Sequence, residues 1–175
     1  MIIAVDEVMG LPEFVGQNEK VIAAKLNAVE LSIRSYTNNN FQNRYVRFHA
    51  ESLGNRLLGT SDFLKKGDTV QVSQSQVNDG LYVITEIGDD FIRVDGDLYK
   101  YPDNLVTKIE YPADIKAGVL DLLKWEVKNR QKVGIKSETL SRHSVSYYDQ
   151  DKNNQVMGYP VALLGFLKPY IKARF

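Results

Sequence analysis

The chain has 175 residues, with 22 Lys and Arg against 22 Asp and Glu, two histidines and no cysteine. This length is enough for one or two globular domains with a hydrophobic core, and the absence of cysteine excludes disulfides, zinc ribbons, iron–sulfur clusters and a cysteine nucleophile. The formal net charge of zero argues against a nucleic-acid coat, which would carry a large positive excess.

The N-terminal segment is apolar but lacks the pattern of a targeting signal. Residues 1–5 read MIIAV, and Asp6 and Glu7 interrupt the apolar run, with no basic residue before it. No stretch of the sequence reaches the ~18 apolar residues that a membrane-spanning helix needs. We therefore expect a protein that stays in a reducing cytoplasm and has no membrane partner.

Two segments before residue 60 predict helix. Apolar residues recur at helical spacing from about residue 18 to 36, with Asn18 as N-cap and the Asn-rich residues 37–40 as a stop. Residues 41–59 carry aromatic side chains at helical spacing but contain two glycines, which predicts a short helix and a loop. The apolar face of the long helix consists of Ile22, Leu26, Val29, Ile33 and Tyr36.

The periodicity changes from helical to alternating over residues 62–111, and turn residues occur at regular intervals. Tight turns between strand-forming segments predict a small antiparallel β-barrel or meander, with Pro102 between two strands. The predicted strands lie around Val70 and Val72 and at residues 81–87, 91–94, 98–101 and 105–111.

Helical periodicity returns after Pro112. It predicts a long helix that stops near Gly134, and alternation over residues 141–148 predicts an extended arm or strand. A last helix is expected to start at Pro160 and to carry Leu163, Leu167 and Tyr170 on one face.

These elements predict an α+β fold in which a helical core of three main helices is interrupted by a small antiparallel β-barrel or meander. Residues 1–60 and 112–175 form the core with a C-terminal arm and tail, and residues 61–111 form the inserted β domain.

Catalytic and metal-binding patterns are missing from the sequence. His49 and His143 have no nucleophile at a motif spacing, and acidic runs such as Asp95-Gly96-Asp97 fit hairpin turns better than a calcium loop. Phosphate-binding glycine motifs are absent as well. The sequence predicts no enzyme, no metal and no cofactor, while a hydrolase that pairs either histidine with a distant carboxylate stays open.

The zero net charge is a cancellation between regions. Residues 61–112 contain ten acids and five bases, whereas residues 113–175 contain six acids and eleven bases. Such opposite patches fit either solvated surfaces or complementary contact between copies or with a partner. The basic, aromatic tail 167–175 favours docking on a partner.

The order of several short motifs resembles the head-tail connector, or adaptor, family of tailed bacteriophages, in a member with a β-insert. Each motif is short, and it is their order along most of the chain that carries the resemblance. The motifs are IRSYTNNNF at residues 33–41, FLKKGDTV at 63–70, NDGLYVI at 78–84, SETL at 137–140, SVSY at 144–147, LKPY at 167–170 and RF at 174–175.

The resemblance implies a non-catalytic virion protein at the head–tail interface, assembled in the host cytoplasm. Such adaptors form a homo-oligomeric ring of about twelve subunits under the portal protein, and DNA passes through the ring without sequence-specific binding. The ring docks a tail-side stopper or completion protein. The implied contacts to the portal or a neighbouring subunit are Lys168, Tyr170, Lys172, Arg174, Phe175, Arg142 and Tyr147.

An alternative interpretation is a nucleic-acid-binding accessory module in which the small β domain binds single strands. Its stacking residues would be Tyr82, Phe91, Tyr99 and Tyr101. The acidic character of this segment counts against it, because stacking aromatics usually work in a basic groove.

Overall fold

A computed structural model of the chain describes residues 1–129, 137–140, 143–146 and 155–173. Contacts divide the chain into two compact units. The barrel unit comprises residues 40–111 with Met1, and the helical unit comprises residues 2–39 and 112–175.

The barrel unit is a closed, six-stranded antiparallel sheet. Its strands follow the order β1-β2-β5-β4-β3-β6 around the barrel, with β6 pairing back to β1. Closure pairs both sides of every strand and therefore removes the exposed edges that an open sheet would have. The strands are β1 (Gln42–Leu53), β2 (Arg56–Leu58), β3 (Thr69–Ser73), β4 (Gly80–Ile87), β5 (Phe91–Val94) and β6 (Tyr101–Ile109).

The predicted fold class is wrong. The chain is not a helical core with a small insert, because a closed barrel is its main sheet. The barrel unit begins at residue 40, whereas the predicted insert begins at residue 61. The difference is residues 41–59, predicted as a short helix and loop, which instead form β1 and β2.

A β-bulge explains the error in this segment. The register of β1 against β6 shifts between Asn43 and Arg47, and Tyr45 in the bulge is 99% exposed. Beyond the bulge, alternate side chains from Phe48 to Ser52 face the barrel interior. The bulge breaks the two-residue period of the strand, so the aromatic spacing imitates a helix.

A second difference concerns Pro102. The predicted strands at 98–101 and 105–111 are replaced by the single strand β6, and Pro102 is its second residue. The register of β1 against β6 shifts again here, between Ala50 and Ser52. Proline is tolerated at a strand start or a bulge because no ladder hydrogen bond from its nitrogen is needed there.

The barrel interior combines an apolar core with a buried polar cluster at one place. The polar cluster consists of Ser52, Asn78 and Asn104, all essentially inaccessible to solvent. The apolar core is formed by Val46, Ala50, Leu57, Leu64, Val70, Val72, Ile84, Ile92, Val94, Leu98 and Val106.

Among its described residues, the helical unit contains three α-helices, two 3₁₀ helices and two short hairpins. In chain order they are α1 (Val5–Met9), a 3₁₀ turn (Pro12–Phe14), α2 (Glu19–Thr37), α3 (Ala113–Asn129), the hairpin of β7 (Ser137–Leu140) and β8 (His143–Ser146), the hairpin of β9 (Gln155–Val156) and β10 (Tyr159–Pro160), and a C-terminal 3₁₀ helix (Val161–Tyr170).

The structure confirms the helix predicted at about residues 18–36. The side-chain oxygen of Asn18 accepts a hydrogen bond from the backbone N–H of Lys20 at 2.9 Å, and Asn38 ends the helix with a left-handed φ of 48°. Both ends therefore have the caps that the sequence predicts.

The elements after residue 112 agree with the sequence in part. Helix α3 occupies the predicted position, although the predicted stop at Gly134 lies outside the described residues. Within the predicted arm, residues 143–146 form a strand, paired with residues 137–140.

The last helix differs in its period. It begins at Val161 rather than Pro160 and is a 3₁₀ helix, so its buried residues are Leu164 and Leu167, three positions apart. Leu163, predicted to share the buried face, is only partly buried. The α-helical spacing used for the prediction does not apply to three residues per turn.

We expect Gly118→Ala to destabilise the helical unit. A Cβ atom at Gly118 would lie 2.5 Å from the ring of Phe166, so this ring, or the C-terminal helix that carries it, would have to move away from α3. Overpacking of this kind costs about 1–3 kcal/mol, against a gain of up to about 1 kcal/mol in helix propensity. Urea unfolding followed by the fluorescence of Trp125, the single tryptophan, measures the loss.

Gly165→Ala is the matched control, because a Cβ atom at Gly165 meets nothing within 4 Å. Equal unfolding midpoints for the two variants would contradict the proposed close packing at Gly118.

Candidate subunit interface

Helix α2 has two apolar faces. The inner face, formed by Ile22, Leu26, Val29 and Ile33, is buried in the core of the helical unit. On the opposite side, a second apolar row recurs at spacings of three, four and three residues. This row, which we call the outer face of α2, consists of Val21, Ala24, Ala28 and Leu31.

The outer face of α2 is exposed. Leu31 is 62% accessible to solvent and Val21 is 47% accessible, while Ala24 and Ala28 between them are also exposed. The solvent side of a surface helix normally carries polar and charged residues. A continuous apolar row without a charge is therefore a candidate contact surface.

A cleft of about 150 Å³ adjoins the outer face of α2 at Ala28. The Lys25 ammonium forms an ion pair with the buried Glu126 carboxylate, and the Tyr159 hydroxyl donates to the other oxygen of Glu126 at 2.7 Å. The ring of Tyr159 also packs edge-on against Trp125, with 5.8 Å between centroids. These contacts hold α2, α3 and β10 together behind the outer face.

The end of the C-terminal 3₁₀ helix is anchored on the helical unit itself. The Tyr170 hydroxyl donates to the Asp114 carboxylate at 2.8 Å. The side-chain amides of Asn38 and Asn39 donate to the carbonyls of Ala173 and Tyr170, at 2.8 and 3.2 Å. The Asn-rich stretch after α2 therefore both ends that helix and fixes the path of residues 170–173.

The predicted contact residues fall into two groups. Lys168 and Lys172 are exposed, and Tyr170 is partly buried by its contact with Asp114. The structure brings these three together in one segment. Arg142, Tyr147, Arg174 and Phe175 lie outside the described residues.

The pKa of Tyr170 gives this anchor a measurable signature. The hydrogen bond to Asp114, with smaller contributions from desolvation and from the carboxylate charge, raises the pKa of Tyr170 above its usual 10.0. Because the folded value lies above the unfolded one, the contact stabilises the fold below about pH 10 and is lost as pH rises through the raised pKa.

We expect Asp114→Asn to return the Tyr170 pKa toward 10.0, because an amide oxygen accepts a weaker hydrogen bond than a carboxylate and carries no negative charge. Titration of the tyrosine ring resonances by NMR checks this. An unchanged Tyr170 titration in the variant would show that Asp114 does not control the hydroxyl.

The histidines are placed as follows. The His49 imidazole Nδ1 lies 2.6 Å from the Asp103 carboxylate on the barrel surface, and both side chains are more than half exposed. His143 belongs to β8, whose side chains lie outside the described part of the chain. The His49–Asp103 pair lies across β1 and β6 on an open strand surface.

The aromatic residues of the nucleic-acid alternative do not form one exposed platform. The Tyr82 hydroxyl donates to the carbonyl of Asn78 at 3.0 Å, and Arg56 lies 4.8 Å over the ring of Phe91. Burial, with the charges of nearby Asp79 and Asp95, raises the pKa of Tyr82. Tyr99 is 72% exposed, whereas Tyr101 is half-buried.

Within residues 1–129 and the later described segments, no group of three or more His, Asp or Glu side chains is arranged to hold a metal ion. None of the helices in the described part of the chain combines the length and apolar character needed to cross a bilayer.

No protein-family model matches the chain, and comparison with curated proteins finds no match.

The outer face of α2 was missed by the sequence interpretation. Its signal was present, since Val21, Ala24, Ala28 and Leu31 repeat at heptad-like spacing. Because two of its four residues are alanines, this row is less hydrophobic than the inner face, whose four side chains are all large and apolar. Only solvent exposure distinguishes such a row from a second side of the core.

Proposed function

We propose that the chain is a tailed-phage head-tail connector that assembles as a ring under the portal, extends the DNA channel and docks the next tail-side protein. Two features support the proposal: the order of the connector-like motifs along the sequence, and the outer face of α2. The outer face of α2 is the structural observation on which the proposal rests.

A ring subunit needs surface that is stable in contact with its neighbours. In a closed ring every copy buries one patch against the copy before it and another against the copy after it. The outer face of α2 offers an uncharged apolar row, so that burial leaves no unpaired charge. It lies on the helical unit, the part that the resemblance expects to pack against neighbouring copies.

The anchored C-terminal segment fits the expected portal contact. Hydrogen bonds from Asn38 and Asn39 fix its backbone, while the Lys168 and Lys172 side chains stay exposed. A cationic segment on a fixed backbone loses little conformational entropy when it binds an acidic surface.

Mass measurement of the chain mixed with purified portal protein tests the function. We expect a complex that contains a ring of about twelve copies. Deletion of residues 168–175 is expected to weaken it and to impair virion assembly. The proposal fails if no ring or complex forms and if the deletion leaves virion assembly intact.

A further inference from the structure

One end of the barrel presents three exposed apolar side chains around a buried polar cluster. Leu53 and Val77 are each 52% exposed, and Tyr99 is 72% exposed. Leu53 and Val77 directly neighbour Ser52 and Asn78 in sequence. The side chains of Ser52 and Asn78 both donate to the Tyr99 carbonyl, at 2.6 and 2.9 Å, so the three apolar side chains lie around one cluster. This surface, which we call the loop end of the barrel, comprises residues 53–55, 74–79 and 95–100.

Hydrogen bonds fix the conformation of the loop end. Gln74 and Gln76 have positive φ values of 67° and 65°, although both side chains are exposed. The backbone N–H and the hydroxyl of Ser75 donate to the Asp79 carboxylate at 2.9 and 3.0 Å. Non-glycine residues keep such φ values only where their surroundings hold them, and these residues cluster at binding surfaces. A loop that is already ordered loses little entropy when a partner binds.

The loop end is also acidic. Its loops contain three acids, Asp79, Asp95 and Asp97, and one base, Lys100, and all four side chains are exposed. Among the residues that the structure describes, Asp97 has no partner for its carboxylate. An exposed apolar surface with an acidic border fits a basic partner that presents an aromatic or aliphatic side chain.

The β-bulge of the same barrel presents the complementary chemistry. Tyr45 is 99% exposed, and Arg44 and Arg47 beside it are exposed as well. The Arg47 guanidinium donates to two neutral acceptors, Thr107 Oγ1 at 2.9 Å and Gln42 Oε1 at 3.2 Å, which order the group without compensating its charge. Tyrosine and arginine are the residue types that most often dominate binding energy at protein interfaces. We call Arg44, Tyr45 and Arg47 the bulge surface.

We propose that the bulge surface of one copy docks on the loop end of the barrel in the next copy. The Tyr45 ring packs against the three apolar side chains, and the two arginines face the acidic border. This inference rests on the proposed ring and adds a contact between barrels to the contact made by the outer face of α2. Aromatic side chains bury about 150–250 Å² each, so the nearly fully exposed Tyr45 supplies a large part of the contact.

The two surfaces can be used in the same copy at the same time. Tyr45 and Leu53 lie eight residues apart on β1, which is about 26 Å at 3.3 Å per residue. Contact between two different surfaces is heterologous and continues from copy to copy until a ring closes.

Charge disfavours a two-fold dimer through either surface. Pairing of two bulge surfaces would place arginines against arginines, and pairing of two loop ends would place carboxylates against carboxylates. Such like-charge contacts are unfavourable. The docking of bulge surface on loop end is therefore the arrangement that brings opposite charges together.

Exchange of charges tests the contact. Full-length Arg44→Glu and Asp97→Lys are each mixed with portal protein, and mass measurement gives the concentration at half-maximal ring assembly. Each variant should raise that concentration by about 10-fold or more, because it weakens the attraction between the surfaces. Asp90→Lys is the control, since Asp90 is exposed in the turn between β4 and β5, outside both surfaces.

An equal mixture of Arg44→Glu and Asp97→Lys should assemble better than either variant alone. In an alternating ring every second contact is natural, and the remaining contacts bring the introduced carboxylate to the surface that carries the introduced ammonium. Only a contact between two different surfaces gives this rescue.

Dityrosine cross-linking locates the contact in the natural chain. One-electron oxidation joins tyrosine rings that touch, so the assembled ring should give covalent multimers linked through Tyr45 and Tyr99, identified by mass spectrometry of the peptides. Tyr45→Phe and Tyr99→Phe should each still assemble but lose this product. Tyr101→Phe is the control, because Tyr101 is half-buried and should leave the product unchanged.

The results separate this contact from the proposed function. A ring of normal mass that lacks the Tyr45–Tyr99 cross-link, or a mixture of charge variants that assembles no better than either alone, would overturn the contact and leave the connector proposal standing. Cross-linked multimers without a ring on the portal would support the contact and refute the connector proposal. If neither cross-links nor rings form, both proposals fail.

Discussion

Leu31→Glu is expected to abolish ring formation on the portal while leaving the helical unit folded. Leu31 is the more exposed of the two large side chains on the outer face of α2, and Glu is as good a helix former as Leu. Stability should therefore change by no more than about 0.5 kcal/mol. An unpaired carboxylate buried between subunits costs about 3 kcal/mol or more, which weakens each contact by about 100-fold.

Ala117→Glu is the matched control for this variant. Ala117 is exposed on α3, away from the outer face of α2, and the substitution adds the same charge. Mass measurement should find rings with Ala117→Glu and none with Leu31→Glu. Normal rings with Leu31→Glu would exclude the outer face of α2 from the interface.

The second large effect is expected in the barrel, where Asn78→Ala should destabilise the fold by about 3 kcal/mol or more. Asn78 is 1% exposed, and its side chain connects three chain segments. Its removal leaves buried donors and acceptors without partners. The two N–H groups of its side chain are shared among three acceptors, Ser52 Oγ at 3.0 Å, the Tyr99 carbonyl at 2.9 Å and Asn104 Oδ1 at 3.0 Å, and its side-chain oxygen accepts from the Tyr99 N–H at 2.8 Å.

Amide hydrogen exchange measures this loss in the barrel unit separately from the helical unit. A loss of about 3 kcal/mol should speed exchange of the slowest barrel amides by about 100-fold. Val77→Ala is the control, because Val77 is adjacent but 52% exposed. Similar exchange in the two variants would show that the polar cluster contributes little to barrel stability.

The sequence predicted elements whose local signals agree with one another. For α2, apolar spacing, the Asn18 cap and the Asn38 stop all indicate the same helix, and the structure confirms it. The strands β3, β4 and β5 were predicted because turn residues separate runs of strand formers.

Where local and long-range signals disagree, the structure predicted from the sequence was wrong. The bulge around Tyr45 disrupts alternation in β1, and pairing with β6, about 60 residues further on, holds this segment as a strand. Closure of the barrel depends on that pairing. No local pattern in residues 41–59 indicates the pairing of β1 with β6. The barrel was therefore predicted as a smaller insert.

The candidate interface, too, was predicted from the sequence only in part. The expected contacts Lys168, Tyr170 and Lys172 came from the resemblance, and the structure adds how Asp114 and Asn39 fix their segment. The outer face of α2 needed the structure, because spacing alone does not show which of two apolar rows on a helix faces the core.

The most direct test of the ring account is electron microscopy of the chain assembled on portal protein. We predict a closed ring in which Leu31 of each copy is buried against the neighbouring copy. Absence of a ring, or a ring in which Leu31 of every copy faces solvent, would contradict the account.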